Sequence, residues 1–221
     1  FQKTLGINDL EYAISTIRAD ATEAIDVARV RLKLAAGGEG IRYLVNISTI
    51  GLGGEAVRLV NGWRHSWPAS IPGRVRFVLG ALMALLRFDE QRAHLTLDDV
   101  AKHLSTGLIV VANGRFAGAG MMFAPSAELN DGMLDVIVTE HVNRLDVIRE
   151  LPRIMNGTYL RNPKVRLLQA SRIKLAADHP FAVDIDGEFA GYSPLEMDVL
   201  PKALRFILPA GLKAVMAAQN G

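Results

Sequence analysis

GRFAGAGMMFAPSAELNDGMLD, residues 114–135, packs glycines, one proline and an Asn-Asp-Gly turn between two apolar runs that read as strands. Further along, VDIDGE, residues 183–188, sets Asp184, Asp186 and Glu188 on alternate positions around a glycine. Short strand candidates surround both stretches, at 93–97, 107–112, 134–138, 173–177, 181–186, 195–199 and 204–208. Many short strands joined by Gly, Pro and Asn-Asp turns predict a mainly β fold, a sandwich or barrel with inserted helices.

The 221 residues suffice for a sizeable core, in one large domain or two small ones. Half are hydrophobic, which excludes a disordered chain, and the absence of cysteine excludes a disulfide framework or a thiolate metal site. A net charge of +2, with the basic residues spread along the chain, argues against a nucleic-acid partner. The longest apolar run, FVLGALMALL at 77–86, lies between Arg76 and Arg87. It is shorter than the ~20 residues a spanning helix needs, so it reads as a buried or interfacial helix. The sequence opens on Phe1 rather than methionine, as the interior of a longer protein would.

Asn8 or Asp9 can cap a helix whose apolar positions Leu10, Ala13, Ile14 and Ile17 follow helical spacing. From Ile25 the period becomes two and slips at Ala28, as a bulge would make it do. A GGEG turn at 37–40 then leads into IRYLVNIS as an antiparallel partner. Residues 51–61 read as a glycine turn opening a short helix, and a Pro-containing loop over 67–73 precedes a long helix over 74–88. Another helix spans 144–155 despite Pro152, and final helical turns occupy 212–218.

Asn130-Asp131-Gly132 reads locally as a tight turn, although a carboxylate with backbone carbonyls also suits a hard divalent cation. Asp184, Asp186 and Glu188 would share one face of a continuous strand, either solvated or gathered around a cation. Asp186-Gly187 could equally be a hairpin turn. GLGGEA at 51–56 lacks the lysine end of a phosphate loop, so a close-packed turn accounts for it better than an anion site. The five histidines show no metal spacing, and neither Ser105 nor Ser126 lies in a nucleophile elbow. The helix over 74–88 is apolar on most of its circumference, which predicts burial or the lining of an acyl-chain pocket.

Taken in order, the segments resemble the C-terminal domain of the diacylglycerol kinase catalytic family, which includes the YegS-like lipid kinases and the sphingosine and ceramide kinases. Residues 112–138 are similar to its Asn-Gly, Ala-Pro-x-Ala and Asp-Asp-Gly-x-Leu-Asp run. Residues 181–209 are similar to its Asp-Gly-Glu strand and Pro-x-Ala-Leu tail. FQKTLGINDLEYAI at the start resembles the segment after the family's Gly-Thr-x-Asn-Asp motif, and NISTIGLGGEAV at 46–57 resembles a further family segment. Asn130 replaces the usual first aspartate of the loop, and Glu196 stands where an apolar residue is usual.

The resemblance implies an antiparallel β-sandwich as in the C-terminal domain of the NAD kinase/diacylglycerol kinase-like fold. It makes the whole chain, 1–221, the lipid-binding domain of a two-domain ATP-dependent lipid kinase, inactive without its own N-terminal nucleotide-binding domain. By position it assigns the general base to Asp186 and a magnesium ligand to Glu188. It implies a structural Mg2+ site at the Asp131 side chain and the carbonyls of Glu128 and Met133, and it places Glu55 near the lipid head group. The expected co-substrate is ATP and the expected partner a membrane-derived lipid. The expected location is cytoplasmic, with peripheral attachment to a membrane and homodimerisation both compatible. The alternatives are a non-catalytic lipid-binding module of the same fold and a NAD-kinase-like enzyme.

Overall fold

The computed structural model describes residues 1–7, 9–63, 73–118 and 120–209. The expected loop over 67–73, all but its last residue, and the final turns over 212–218 lie outside them. Helix α1 (Leu10–Ala19) starts at Asp9, whose carboxylate accepts the Tyr12 amide at 2.7 Å. Strands β1 (Thr22–Leu34) and β2 (Glu39–Leu44) form a hairpin, followed by β3 (Ile47–Gly51) and helices α2 (Leu52–Gly62) and α3 (Gly73–Leu86). Then come β4 (Gln91–Leu97), β5 (Val100–Thr106), β6 (Leu108–Ala112), the short pair β7 (Phe116–Ala117) and β8 (Met121–Met122), and β9 (Leu134–Thr139). Helix α4 (Arg144–Ile154) is followed by β10 (Val165–Ala170), β11 (Arg172–Ala177), β12 (Ala182–Ile185) and β13 (Glu188–Ile207).

All the pairings are antiparallel, in the order β10-β9-β6-β3-β12-β13-β11-β4-β5, with β1 added to β13 and β2 to β1. The sheet curls because β13 is long: expected as two strands, it runs unbroken for 20 residues. Along one edge it pairs first with β12 and then with β11, while β1 follows its other edge. Alternate residues of distant strands thereby meet in one core, among them Val30, Leu95, Val136, Leu175 and Val183. The other faces of β3, β6 and β9 pack Ile47, Val110 and Ile137 under Phe123 and Tyr159, so these central strands are buried on both sides. The expected mainly β, sandwich-like class holds.

Four local expectations need correction. The β1–β13 register shifts earlier than expected, between Ile25 and Val27, where residues 201–203 of β13 bulge opposite the single residue Asp26, 1% exposed. IRYLVNIS is two strands rather than one, because the chain turns at Val45–Asn46 and β3 leaves β1 to lie between β12 and β6. Strands β5 and β10 escaped the sequence reading; both lie at the ends of the strand order and bury little, so their apolar periodicity is faint. Finally, α3 is only partly buried. Gly80, Ala84 and Leu85 are covered, whereas Val78 and Leu86 are 55% and 71% exposed.

The glycines at 53–54 let α2 approach the sheet, as the close-packed reading of GLGGEA requires. A Cβ on Gly54 would run into the Ala182 carbonyl of β12. Gly54→Val is therefore expected to destabilise the fold by about 1–3 kcal/mol, measured by urea denaturation. Unchanged stability would show that α2 and β12 are not in this close contact.

Candidate functional site

The VDIDGE stretch is a hairpin. Asp186 and Gly187 have φ of 52° and 89°, the two positive values that a type I′ two-residue turn demands between Ile185 and Glu188. The three acids therefore do not share one face. Asp184 turns inward and is 4% exposed, while Asp186 and Glu188 lie at the exposed tip.

Asp186 is held from three directions. Its Oδ2 accepts the Val45 amide at 2.9 Å, and its Oδ1 accepts those of Asn46 at 2.9 Å and Ile47 at 3.0 Å. A carboxylate offers about four acceptor sites, so one remains, on Oδ2. These bonds also explain why the chain turns at Val45–Asn46. Three consecutive amides converge on one side chain instead of continuing a ladder.

Asp184 holds the turn from below. It accepts the Thr49 hydroxyl at 2.8 Å, the Thr49 amide at 3.2 Å and the Gly187 amide at 2.6 Å. Burial pushes its pKa up to about 6, Thr49 and Gly187 oppose the shift, and the charge on Asp186 adds to it.

Glu188 receives the Asn61 side-chain amide from α2 at 3.3 Å. Two turns back on that helix, Glu55 forms a two-pronged pair with Arg58, at 2.6 and 2.7 Å. Residues 55, 58 and 61 recur every three positions, so they share one side of α2. The fold thus brings the Glu55 helix to the Glu188 tip. Asn61 had no sequence signal, because a lone asparagine near a helix end carries none.

The Asn130–Gly132 turn is a separate centre. Asp131 Oδ1 accepts the Met133 amide at 3.0 Å. Partial burial of its carboxyl, together with the charges of Glu128, Asp135 and Asp26, holds its pKa above the usual range against that amide. Beneath the turn, Asp26, opposite the bulge of β13, accepts the Gly132 and Lys202 amides, both at 2.7 Å. Asp26 is what the sequence reading missed. Among the described residues no three His, Cys, Asp or Glu side chains are arranged to hold a metal ion. The expected cation site would accordingly rest on one carboxylate and carbonyls. The crowding of acids around Asp131 fits such a cation, because a positive charge there relieves it.

Residues 47–208 match the profile of the YegS C-terminal NAD kinase β-sandwich-like domain. The chain belongs to that family. Among its relatives, a Pectobacterium atrosepticum protein named probable lipid kinase YegS-like is 28% identical over 195 residues, covering 87% of this chain and 59% of its own length. A Mycobacterium tuberculosis protein named diacylglycerol kinase is 28% identical over 147 residues, covering 66% of this chain and 46% of the relative. The chain thus spans about half the length of these curated relatives. A solved Bacillus anthracis structure described as a diacylglycerol kinase overlays with a TM-score of 0.62 at 16% identity, covering 96% of this chain and 64% of that one. At that identity the overlay shows the shared fold.

Because Asp184 holds its proton up to about pH 6 in the fold, whereas an unfolded aspartate releases it near ~3.9, folding takes up a proton between those values. This group's contribution to stability then falls as pH rises through that window. Denaturant unfolding from pH 4 to 7 should show a shallower decline in Asp184→Asn than in the parent chain. Equal slopes would mean that Asp184 is ionised in the fold throughout.

Proposed function

We propose that this chain is the lipid-binding half of an ATP-dependent lipid kinase, with Asp186 facing the lipid hydroxyl. The observation that carries the reading is the state of Asp186, exposed at a hairpin tip yet fixed by three backbone amides with one acceptor position left. Family membership and relatives named as lipid kinases support it.

In this reading the free position on Asp186 Oδ2 accepts the proton of the attacking hydroxyl. The three amides keep the acceptor aimed while the substrate arrives, which matters because phosphoryl transfer depends on positioning and electrostatics. Glu188, steadied by Asn61, would hold Mg2+, which when bound neutralises charge on the transferring phosphate. Glu55 would face the head group with its charge already answered by Arg58. ATP would be held by a nucleotide-binding domain outside these residues, so the chain would be inactive alone.

In the full-length protein, Asp186→Asn is expected to abolish phosphate transfer from labelled ATP to a lipid panel while the circular dichroism spectrum stays native. Normal lipid-kinase activity in that variant would overturn the base assignment. No transfer to any lipid by the parent protein would favour the non-catalytic module instead.

The Asp131 turn is proposed as a structural Mg2+ site. Added Mg2+ should raise the melting temperature of the parent protein and leave that of Asp131→Asn unmoved. An equal rise in both would place the cation elsewhere.

A further inference from the structure

Helix α3 carries an exposed apolar face. Val75, Val78, Leu79, Leu82, Met83 and Leu86 are all exposed, by 37–71%. At 3.6 residues per turn they form one continuous apolar stripe. The side toward α2 is closed by Gly80, Ala84 and Leu85. A Cβ on Gly80 would run into the Val60 side chain, so the packed side is already in contact. The stripe is not a leftover of a loose core: among the described residues the helix has one packed side and one exposed side.

The charges along the helix itself have one sign. Residues 73–86 contain no acid, Arg76 borders the stripe, and exposed Arg87 follows just past the helix end. The first acids beyond it are turned to other partners. Asp89 faces Arg144 at 3.8 Å, and Glu90 accepts the Val142 amide at 2.7 Å. At about 1.5 Å per residue the helix is far too short to span a bilayer, and no helix among the described residues is long and apolar enough to do so. An apolar stripe with a cationic border is what a helix lying in the plane of a lipid surface requires. A second copy of the chain fits less well, since a two-fold contact would bring two arginine borders together with no acid on the helix to answer them.

We infer that α3 is an interfacial docking helix, its stripe entering the outer part of an anionic bilayer while Arg76 and Arg87 meet the lipid phosphates. The inference deepens the lipid-kinase reading, and rests on it for why a bilayer should be the partner. It also replaces the expectation of a buried helix. Anchoring the domain by α3 would hold α2, against which it packs, over the surface from which a lipid must be drawn.

The test is co-sedimentation of the full-length protein, without ATP, with vesicles of phosphatidylcholine alone or mixed with phosphatidylglycerol. Preferential binding to the mixed vesicles is expected. Leu82→Asp/Leu86→Asp should weaken it by about tenfold or more, because two apolar anchors leave the interface. Arg76→Gln/Arg87→Gln should remove the preference for anionic lipid. Leu145→Asp, an exposed position on α4, should change nothing, and native circular dichroism verifies folding of each variant. Binding by the leucine double variant equal to the parent's would overturn the inference, as would a parent protein that binds neither vesicle. A parent dimer that Leu82→Asp/Leu86→Asp converts to monomer would overturn it too, by showing a second copy on the stripe. The readout is independent of phosphorylation. A protein that docks through α3 yet phosphorylates no lipid would sink the kinase reading alone.

Discussion

The carboxylate of Asp186, bonded to the amides of Val45, Asn46 and Ile47, is the constraint on which the site depends. It ends one strand, starts another and fixes the tip of the β12–β13 hairpin. From that corner the polar contacts continue inward. The Asn46 carbonyl accepts the Asn113 and Gly114 amides at 2.8 and 2.9 Å, and the Asn46 side chain donates to the Phe116 carbonyl at 3.0 Å. The Asn113 side chain donates both to the Val45 carbonyl at 2.8 Å and to the Asp26 carbonyl at 3.0 Å. Asp26 in turn secures Gly132 and Lys202. Hairpin tip, strand corner, glycine-rich segment and acidic turn thus form one chain of hydrogen bonds, in which each link orients the next.

This connectivity explains which parts of the molecule were legible in its sequence. Strands β6, β9 and β11 were visible because their apolar residues recur at a strand's spacing. Helix α4 was read despite Pro152, and in the structure Asn143 caps its first turn and forms a reciprocal capping box with Asp146. The hairpin at Asp186-Gly187 was visible only as one of two options, because alternation of acids and a type I′ turn write the same letters. Asp26 was not read as a site residue, since an acid inside an apolar strand announces nothing until the strand's partners are known. Glu196, unusual in a sheet, proves to be part of a surface ladder, pairing with Arg31 at 3.0 Å and Lys174 at 3.1 Å. The two sides of α3 could not be told apart from composition, because both are apolar and only the presence of α2 decides which one is covered.

The two acidic centres play different physical parts. Asp184 and Asp186 shape one hairpin, the first as a buried acid that burial pushes toward its neutral form and the second as an exposed, amide-bound carboxylate. Asp131 stands on a turn whose geometry Asp26 sets from beneath. Helix α2 joins the first centre to the helical layer, with Asn61 reaching Glu188 and Gly54 resting on β12. Helix α3 packs against α2 and turns its other side outward. The domain thus presents an amide-bound acid at a hairpin tip and an exposed apolar stripe on α3.

Amide hydrogen exchange resolved at Val45, Asn46 and Ile47 tests the central claim most directly. These amides should be protected in the parent chain and become rapidly exchanging in Asp186→Ala, while those of β6 and β9 keep their protection. Equal exchange at the three positions in both proteins would contradict the claim that the Asp186 carboxylate builds this corner.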